Sequence, residues 1–186
     1  LTMHPIDRDR TQRVADRLLE LNETTCVQVY TDTSIYEINP EQRDDPQTVL
    51  EHIHTLCEPF DQVSGTMLKV LVSHTAEQID ALHAALEQDG LIDGLSAFRT
   101  SSVYLELVAE GVNKGMTLAD VRSRCKNVKK ILAIGDYNND LEMVSLADIG
   151  GAPANAIREV KDAADIVLDA DNNHSCVARF LEAALG

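Results

Sequence analysis

The chain has 186 residues, of which 44% are hydrophobic and 25% are charged, and its formal net charge at pH 7 is −15. This composition is typical of a globular protein with one ordinary domain or two small ones. No apolar run approaches the roughly 18 residues that span a bilayer, and the negative charge disfavours contact with nucleic-acid phosphates. We therefore expect no membrane and no nucleic-acid partner.

Up to residue 108 the sequence mixes helices with short strands, several of them expected to be antiparallel. Such a pattern favours an α+β layer with one open sheet face. The predicted helices cover 10–21, the segment from Pro46 to Leu56 behind an Asp45 cap, and the segment behind a Thr75–Gln78 capping box. The predicted strands cover 26–30, 34–38, 67–72, 95–99 and 103–108.

From Gly111 onward helices and strands alternate, which is typical of parallel, right-handed crossovers. The helix after Lys114 is expected to bury Leu118, Val121 and Cys125 on one face. The other predicted helices are a short one from Leu141, one over 154–164 and one over 177–185, and the predicted strands cover 131–134 and 166–168. Because its four residues are all apolar, the strand over 131–134 is expected to be buried on both faces.

The four cysteines form no Cys-x-x-Cys pair, which favours free thiols in a reducing, cytoplasmic compartment.

Two carboxylates and two amides follow the strand over 131–134, in the run Gly135-Asp136-Tyr137-Asn138-Asn139-Asp140. Ligands of open α/β sheets bind at the carboxyl ends of strands, and oxygen ligands suit Mg²⁺. The same residue types also form turns and cap helices. Taken alone, this run leaves a metal site and a capping turn as open alternatives.

The flanking sequence resembles the C-terminal half of the haloacid dehalogenase superfamily, most closely the Cof-type sugar-phosphate phosphatases with a large α/β cap. The resemblance rests on four segments in order: 111–115, the Gly-Asp-x-x-Asn-Asp run, 153–156 and 160–165. It implies an α/β fold with a partial Rossmann-like parallel sheet core and an α+β cap domain. Residues 1–108 would form the cap, and residues 109–186 the C-terminal half of the core.

The resemblance also implies site residues and an activity. Lys114 matches the family's catalytic, phosphate-binding lysine, and Asp136 matches a Mg²⁺-binding acid. Asn139 matches a position near metal and substrate. Asp140 matches an acid that either binds the metal or orients the lysine. The implied enzyme is a Mg²⁺-dependent phosphatase that hydrolyses a small phosphorylated metabolite through an aspartyl-phosphate. The alternative for Lys114 is a solvated lysine in the first turn of a helix, but the helix dipole disfavours a cation there, which favours a functional role.

The family's nucleophile motif, Asp-x-Asp-x-Thr after a buried strand, has no convincing counterpart before Lys114. Asp7-Arg8-Asp9 has two acids and Thr11 at the right offset, but the residues before it do not form a buried strand. Asp169 and Asp171 follow a strand but come after the metal loop and lack the threonine. We therefore expect that this chain lacks the nucleophile-bearing N-terminal segment and is inactive alone. Its expected protein partner is that segment or a second copy of the chain in a homo-oligomer. The alternatives are a non-catalytic binding module and a phosphomutase of the same superfamily.

Overall fold

The structure is a computed structural model that describes residues 3–38 and 55–186. The chain forms two compact units, Leu1–Glu110 and Gly111–Gly186. The first contains a largely antiparallel sheet and the second a parallel one, which confirms the predicted α/β class with two kinds of layer.

The first unit is built on a six-stranded sheet in the order β3-β2-β1-β4-β6-β5. All neighbours are antiparallel except β2 and β3, which are parallel. Its elements are α1 (Arg8–Leu21), β1 (Cys26–Thr31), β2 (Ile35–Glu37), β3 (Thr55–Cys57), a 3₁₀ turn (Phe60–Gln62), β4 (Met67–Ser73), α2 (Ala76–Gln88), β5 (Leu95–Ser101) and β6 (Tyr104–Ala109).

Alternation along the strands separates an apolar face from a mixed one. The apolar face packs under α1 and α2, whose buried stripes include Leu18 and Ile79. The intervening positions mix polar and apolar side chains, and two of them, Gln28 and Leu71, are buried. There Lys69 pairs with Glu106 at 3.4 Å and lies 4.2 Å from the centre of the Tyr30 ring. The predicted α+β layer is therefore present, but its second face is open only in part.

Two local predictions in the first unit are wrong. Leu56, assigned to a helical stripe, lies in β3 opposite Tyr36, because its apolar side chain suits a strand equally well. Thr75 caps α2 with its extended backbone, but its side chain makes no capping hydrogen bond, so the capping box does not form. The rest of the helix predicted from Pro46 falls on residues 46–54, outside the described residues.

The second unit has a three-stranded parallel sheet in the order β7-β8-β9. Parallel pairing agrees with the alternation of helices and strands in the sequence. The elements are α3 (Lys114–Arg124), β7 (Leu132–Ile134), a 3₁₀ turn (Asn138–Asp140), α4 (Leu141–Leu146), β8 (Ile149–Ala152), α5 (Arg158–Ala163), β9 (Ile166–Val167) and α6 (Cys176–Leu185).

Strand β8, the middle strand of this sheet, is absent from the sequence prediction because two of its four residues are glycines. Those glycines allow close packing. A Cβ on Gly150 would collide with the Val144 carbonyl oxygen, and one on Gly151 would lie 2.5 Å from the Phe180 ring. The sheet thus approaches α4 and α6 more closely than side chains would permit.

Three burial or boundary predictions also fail in the second unit. Val121 is exposed and so is Cys125, so α3 buries only Gly115 and Leu118. Only Ala133 of β7 is buried, whereas the prediction had the whole strand buried on both faces. The helix predicted from residue 154 begins at Arg158, after a turn.

Cys26, Cys125 and Cys176 are free thiols. Among residues 3–38 and 55–186, no helix combines the length and apolar character required to cross a membrane.

Candidate functional site

A tight turn after β7 brings its polar residues together in the second unit. The chain passes through Gly135 and then forms the 3₁₀ turn, which folds Asp140 back over the glycine. A Cβ at Gly135 would collide with the Asp140 side chain, so glycine is required by this close approach. The turn lies at the carboxyl end of β7, where ligands of parallel sheets bind.

The Asp140 carboxylate is the centre of this turn and is only 5% exposed. Its Oδ2 accepts hydrogen bonds from the backbone N–H groups of Asp136 at 2.9 Å and Tyr137 at 3.3 Å. Its Oδ1 accepts one from the Lys114 ammonium at 2.5 Å. A buried carboxylate needs such partners, and here they come from two separate segments. Asp140 therefore fixes both the turn and the lysine.

Lys114 is the first residue of α3, whose N-cap Asn113 accepts a hydrogen bond from the Met116 N–H at 2.7 Å. A cation at a helix N-terminus opposes the helix dipole. The ion pair with Asp140 offsets that repulsion. Because the Lys114 side chain is 51% exposed, its ammonium can also contact a ligand from solvent.

The pKa of Asp140 is lowered by its surroundings. Burial acts in the opposite direction, but the hydrogen bond and charge of Lys114, together with the N–H groups of Asp136 and Tyr137, outweigh it. Asp140 is consequently ionised at neutral pH and holds its negative charge beside the lysine.

Asp136 is half-buried and is held from a different direction. Its backbone carbonyl accepts a hydrogen bond from the Ile157 N–H at 2.9 Å, and its Oδ2 accepts one from the Asn155 side-chain amide at 3.3 Å. The bond from Asn155 uses only one of the lone pairs on the two carboxylate oxygens. Asp136 therefore keeps acceptor capacity for a cation.

The donor set fits Mg²⁺ in part. In the part of the chain that the structure describes, no three acidic, histidine or cysteine side chains converge as a metal site. Mg²⁺ commonly uses one or two carboxylates and completes its shell with water and substrate phosphate. Asp136 can supply one such carboxylate.

A cavity of about 440 Å³ opens at this turn. It is lined by Lys114, Ile134, Gly135, Asp136, Asp140, Met143, Pro153, Asn172, Cys176 and Val177. The structure thus brings together Lys114, Asp136 and Asp140, as the sequence predicts. Asn139 lies on the same turn, but it is not among the residues that line the cavity.

Sequence reasoning missed Asn172 and the apolar lining residues. Asn172 stands in an Asn/Asp-rich loop, which was a usable signal. Met143 and Cys176 carry no pattern that separates them from ordinary core residues. They make one wall of the cavity apolar, while the turn supplies its charged side.

The two alternative Asp-x-Asp segments have structural roles. Asp7 is the N-cap of α1 and accepts from the Arg10 N–H at 2.9 Å, while the Thr11 hydroxyl donates to the Asp7 carbonyl at 2.9 Å. Asp171 accepts hydrogen bonds from the Asn173 N–H and His174 in its own loop. Neither segment presents a pair of unengaged carboxylates.

Residues 1–181 match the family model of the haloacid dehalogenase-like hydrolases. The chain belongs to this family. A phosphoglycolate phosphatase from Methanopyrus kandleri is 35% identical over 108 residues, covering 58% of this chain and 46% of that protein. One from Sulfurisphaera tokodaii is 39% identical over 79 residues, covering 42% and 34%. This haloacid dehalogenase-like chain thus spans less than half the length of these curated relatives.

Solved structures of the family have the same fold. A Thermotoga maritima protein is 30% identical, with a TM-score of 0.73, and the match covers 96% of this chain and 67% of that one. A sugar phosphatase of haloacid dehalogenase subclass IIB is 17% identical with a TM-score of 0.74, covering 97% and 68%. These similarities confirm the haloacid dehalogenase-like fold that the sequence motifs indicate.

The lowered pKa of Asp140 predicts a specific pH dependence of stability. A carboxylate with a folded-state pKa below its unfolded value stabilises the fold above the unfolded pKa. That contribution disappears as pH falls through the folded-state value. Asp140→Asn should therefore lower the free energy of unfolding at pH 7 by about 1–3 kcal/mol, since the buried amide has one acceptor oxygen instead of two and no charge. It should also reduce the loss of stability below about pH 4.

Denaturant unfolding at several pH values measures both effects. Asp120→Asn is the matched control, because Asp120 makes an exposed i,i+4 pair with Arg124 and should contribute less than about 0.5 kcal/mol. Equal effects of the two substitutions at pH 7 would contradict the role given to Asp140.

Proposed function

We propose that this chain carries the metal-binding and phosphate-binding part of a Mg²⁺-dependent phosphatase. In this proposal residues 109–186 are the C-terminal half of the catalytic core, and residues 1–108 are a cap domain that governs access to substrate. The observation that carries the proposal is the cavity at the end of β7, where Asp136 and the Lys114–Asp140 pair meet. An anionic acceptor and a cationic donor side by side suit a metal-bound phosphate.

Asp136 is proposed as the metal-binding carboxylate. When bound, Mg²⁺ would neutralise phosphate oxygens and stabilise the charge that develops on them. The chain's own contribution is to fix this carboxylate through the Ile157 N–H and the Asn155 amide. Because the net charge is −15, an anionic substrate needs local positive charge, which a cation at Asp136 would add to that of Lys114.

Lys114 is proposed to bind the substrate phosphate and to stabilise the transferring group. Asp140 holds its ammonium at 2.5 Å, and half of the side chain remains exposed. Both Asp140 oxygens already accept hydrogen bonds, which favours a lysine-orienting role over direct metal binding. Asn139 remains a proposed substrate contact. Because it does not line the cavity, only a ligand that extends beyond the cavity would reach it.

The substrate class proposed is a small phosphomonoester. Relatives of this chain are named phosphoglycolate phosphatases and, in Bacillus subtilis, a 5-amino-6-(5-phospho-D-ribitylamino)uracil phosphatase. Their organic groups differ, and the phosphate is the part they share. In this proposal the Lys114 ammonium and a cation on Asp136 would contact the phosphate.

The proposed reaction proceeds through an aspartyl-phosphate, with the nucleophile on a segment that this sequence does not contain. The one Asp-x-Asp-x-Thr spacing in the first unit, from Asp7 to Thr11, is occupied by helix capping. In this proposal Lys114 and Asp136 bind and polarise the phosphate, and a further carboxylate attacks phosphorus.

The metal assignment is tested with Mn²⁺, a paramagnetic substitute for Mg²⁺, by NMR titration of the 186-residue chain. We expect selective line broadening at the Asp136 turn that added Mg²⁺ reverses. Asp136→Asn keeps the shape and removes the charge, so it should weaken Mn²⁺ binding at least 10-fold. Asp120→Asn, an exposed change in the same unit, serves as the control. Unchanged broadening in the Asp136 variant would refute the assignment.

The phosphate role of Lys114 predicts an effect on anion binding. With Mn²⁺ present, Lys114→Met should weaken binding of inorganic phosphate by about 10-fold or more, because it removes one charge-assisted hydrogen bond while keeping the side-chain stem. Lys126→Met removes the same charge from an exposed site and should change little. Calorimetric titration measures both. Equal phosphate affinity in wild type and Lys114→Met would contradict the role.

The missing nucleophile predicts no turnover by this polypeptide alone. We expect the purified 186-residue chain with Mg²⁺ to hydrolyse p-nitrophenyl phosphate no faster than a buffer blank. Metal-dependent turnover that disappears in Asp136→Asn would show that the chain carries its own nucleophile. Asp169 would then be the first aspartate to replace.

A further inference from the structure

A second polar residue reaches Asp136 from a turn outside the Gly-Asp-x-x-Asn-Asp run. Asn155 uses both ends of its side-chain amide. Its Nδ2 donates to Asp136 Oδ2 at 3.3 Å, and its Oδ1 accepts from the backbone N–H of Asn172 at 3.0 Å. The acceptor bond fixes which end of the amide is nitrogen, so the donor must face Asp136. One side chain thus connects a proposed metal ligand to a loop that lines the cavity.

The backbone that carries Asn155 is fixed on several sides. The Lys161 ammonium donates to the Ala154 carbonyl at 2.6 Å, and the Ala154 N–H donates to the Ala170 carbonyl at 2.9 Å. Two residues further along, the Ile157 N–H donates to the Asp136 carbonyl at 2.9 Å. Asn155 therefore projects from a rigid turn, which is the property required of a group that orients another.

We propose that Asn155 is a positioning residue for the Asp136 carboxylate and for the loop that presents Asn172. This inference rests on the proposed metal-binding function of Asp136. By donating a hydrogen bond to Oδ2, the amide restricts rotation of the carboxylate, and Oδ1 would remain available to a cation. By accepting a hydrogen bond from the Asn172 N–H, it ties a loop that lines the cavity to the same side chain.

The chemistry requires asparagine or a side chain with the same functions. Both a donor and an acceptor are needed within one short side chain. Alanine removes both bonds. Because Asn155 is exposed, that change should cost little packing, so its effect on ligand binding can be separated from an effect on folding.

The test compares wild type, Asn155→Ala, Asp136→Asn and Asn127→Ala. Asn127 is an exposed asparagine in the segment before β7 and provides the matched control. Three quantities are measured for each: the Mn²⁺ dissociation constant from NMR broadening, the metal-free melting temperature, and the amide hydrogen-exchange rate of Asn172.

We expect Asn155→Ala to raise the Mn²⁺ dissociation constant by about 10-fold. This is the lower end of the range of effects seen when a residue that orients a metal ligand is removed. The Asn172 amide should exchange faster, and the melting temperature should stay close to that of Asn127→Ala. A purely structural role would lower the melting temperature and leave the Mn²⁺ affinity of the folded protein unchanged.

The outcomes separate the two proposals. If Asp136→Asn loses Mn²⁺ binding but Asn155→Ala binds like wild type, the positioning role is overturned and the metal assignment stands. If Asp136→Asn binds Mn²⁺ like wild type, or wild type binds none at the turn, the metal assignment fails and the positioning role fails with it. Unchanged exchange at Asn172 would overturn the proposed tether of the loop.

Discussion

The buried carboxylate of Asp140 is the constraint on which the site depends. It receives three donors from two segments: the ammonium at the start of α3 and two N–H groups of the turn after β7. An ionised group this deeply buried is stable only when it is surrounded in this way. Satisfying it forces the helix start and the turn together. The requirement for glycine at position 135 follows from the same contact, since any side chain there would displace Asp140.

The two aspartates of the turn are held in opposite ways, and this suggests a division of labour. Asp140 is buried and fully engaged in hydrogen bonds, so it organises its neighbours. Asp136 is half-buried and accepts hydrogen bonds from Asn155 and Ile157, further along the chain. Its carboxylate still has lone pairs available. In an acidic chain, Lys114 and a cation at Asp136 would be the positive charges offered to a phosphate in this cavity. Asn155 extends the account by giving Asp136 an orienting partner comparable to the one that Lys114 finds in Asp140.

The sequence predicted much of this arrangement because the informative residues are close together in the chain. The apolar run before Gly135 and the acids after it locate the turn, and Lys114 follows from family resemblance. Strand β8 escaped prediction because Gly150 and Gly151 carry no strand signal, although the packing of Val144 and Phe180 requires them. Val121 was predicted buried from helical spacing, but the periodicity cannot say which neighbours will cover a face. Asn172 lines the cavity and contacts Asn155, which lies 17 residues earlier in the chain, so no local pattern reveals it.

The most direct test of the account is a crystal structure of this chain grown with Mn²⁺, using anomalous scattering to locate the ion. The account predicts a peak bound to the Asp136 carboxylate, with the Lys114–Asp140 ion pair intact beside it. A peak on Asp140 with Lys114 displaced into solvent, or Mn²⁺ bound only at sites away from the turn, would contradict it.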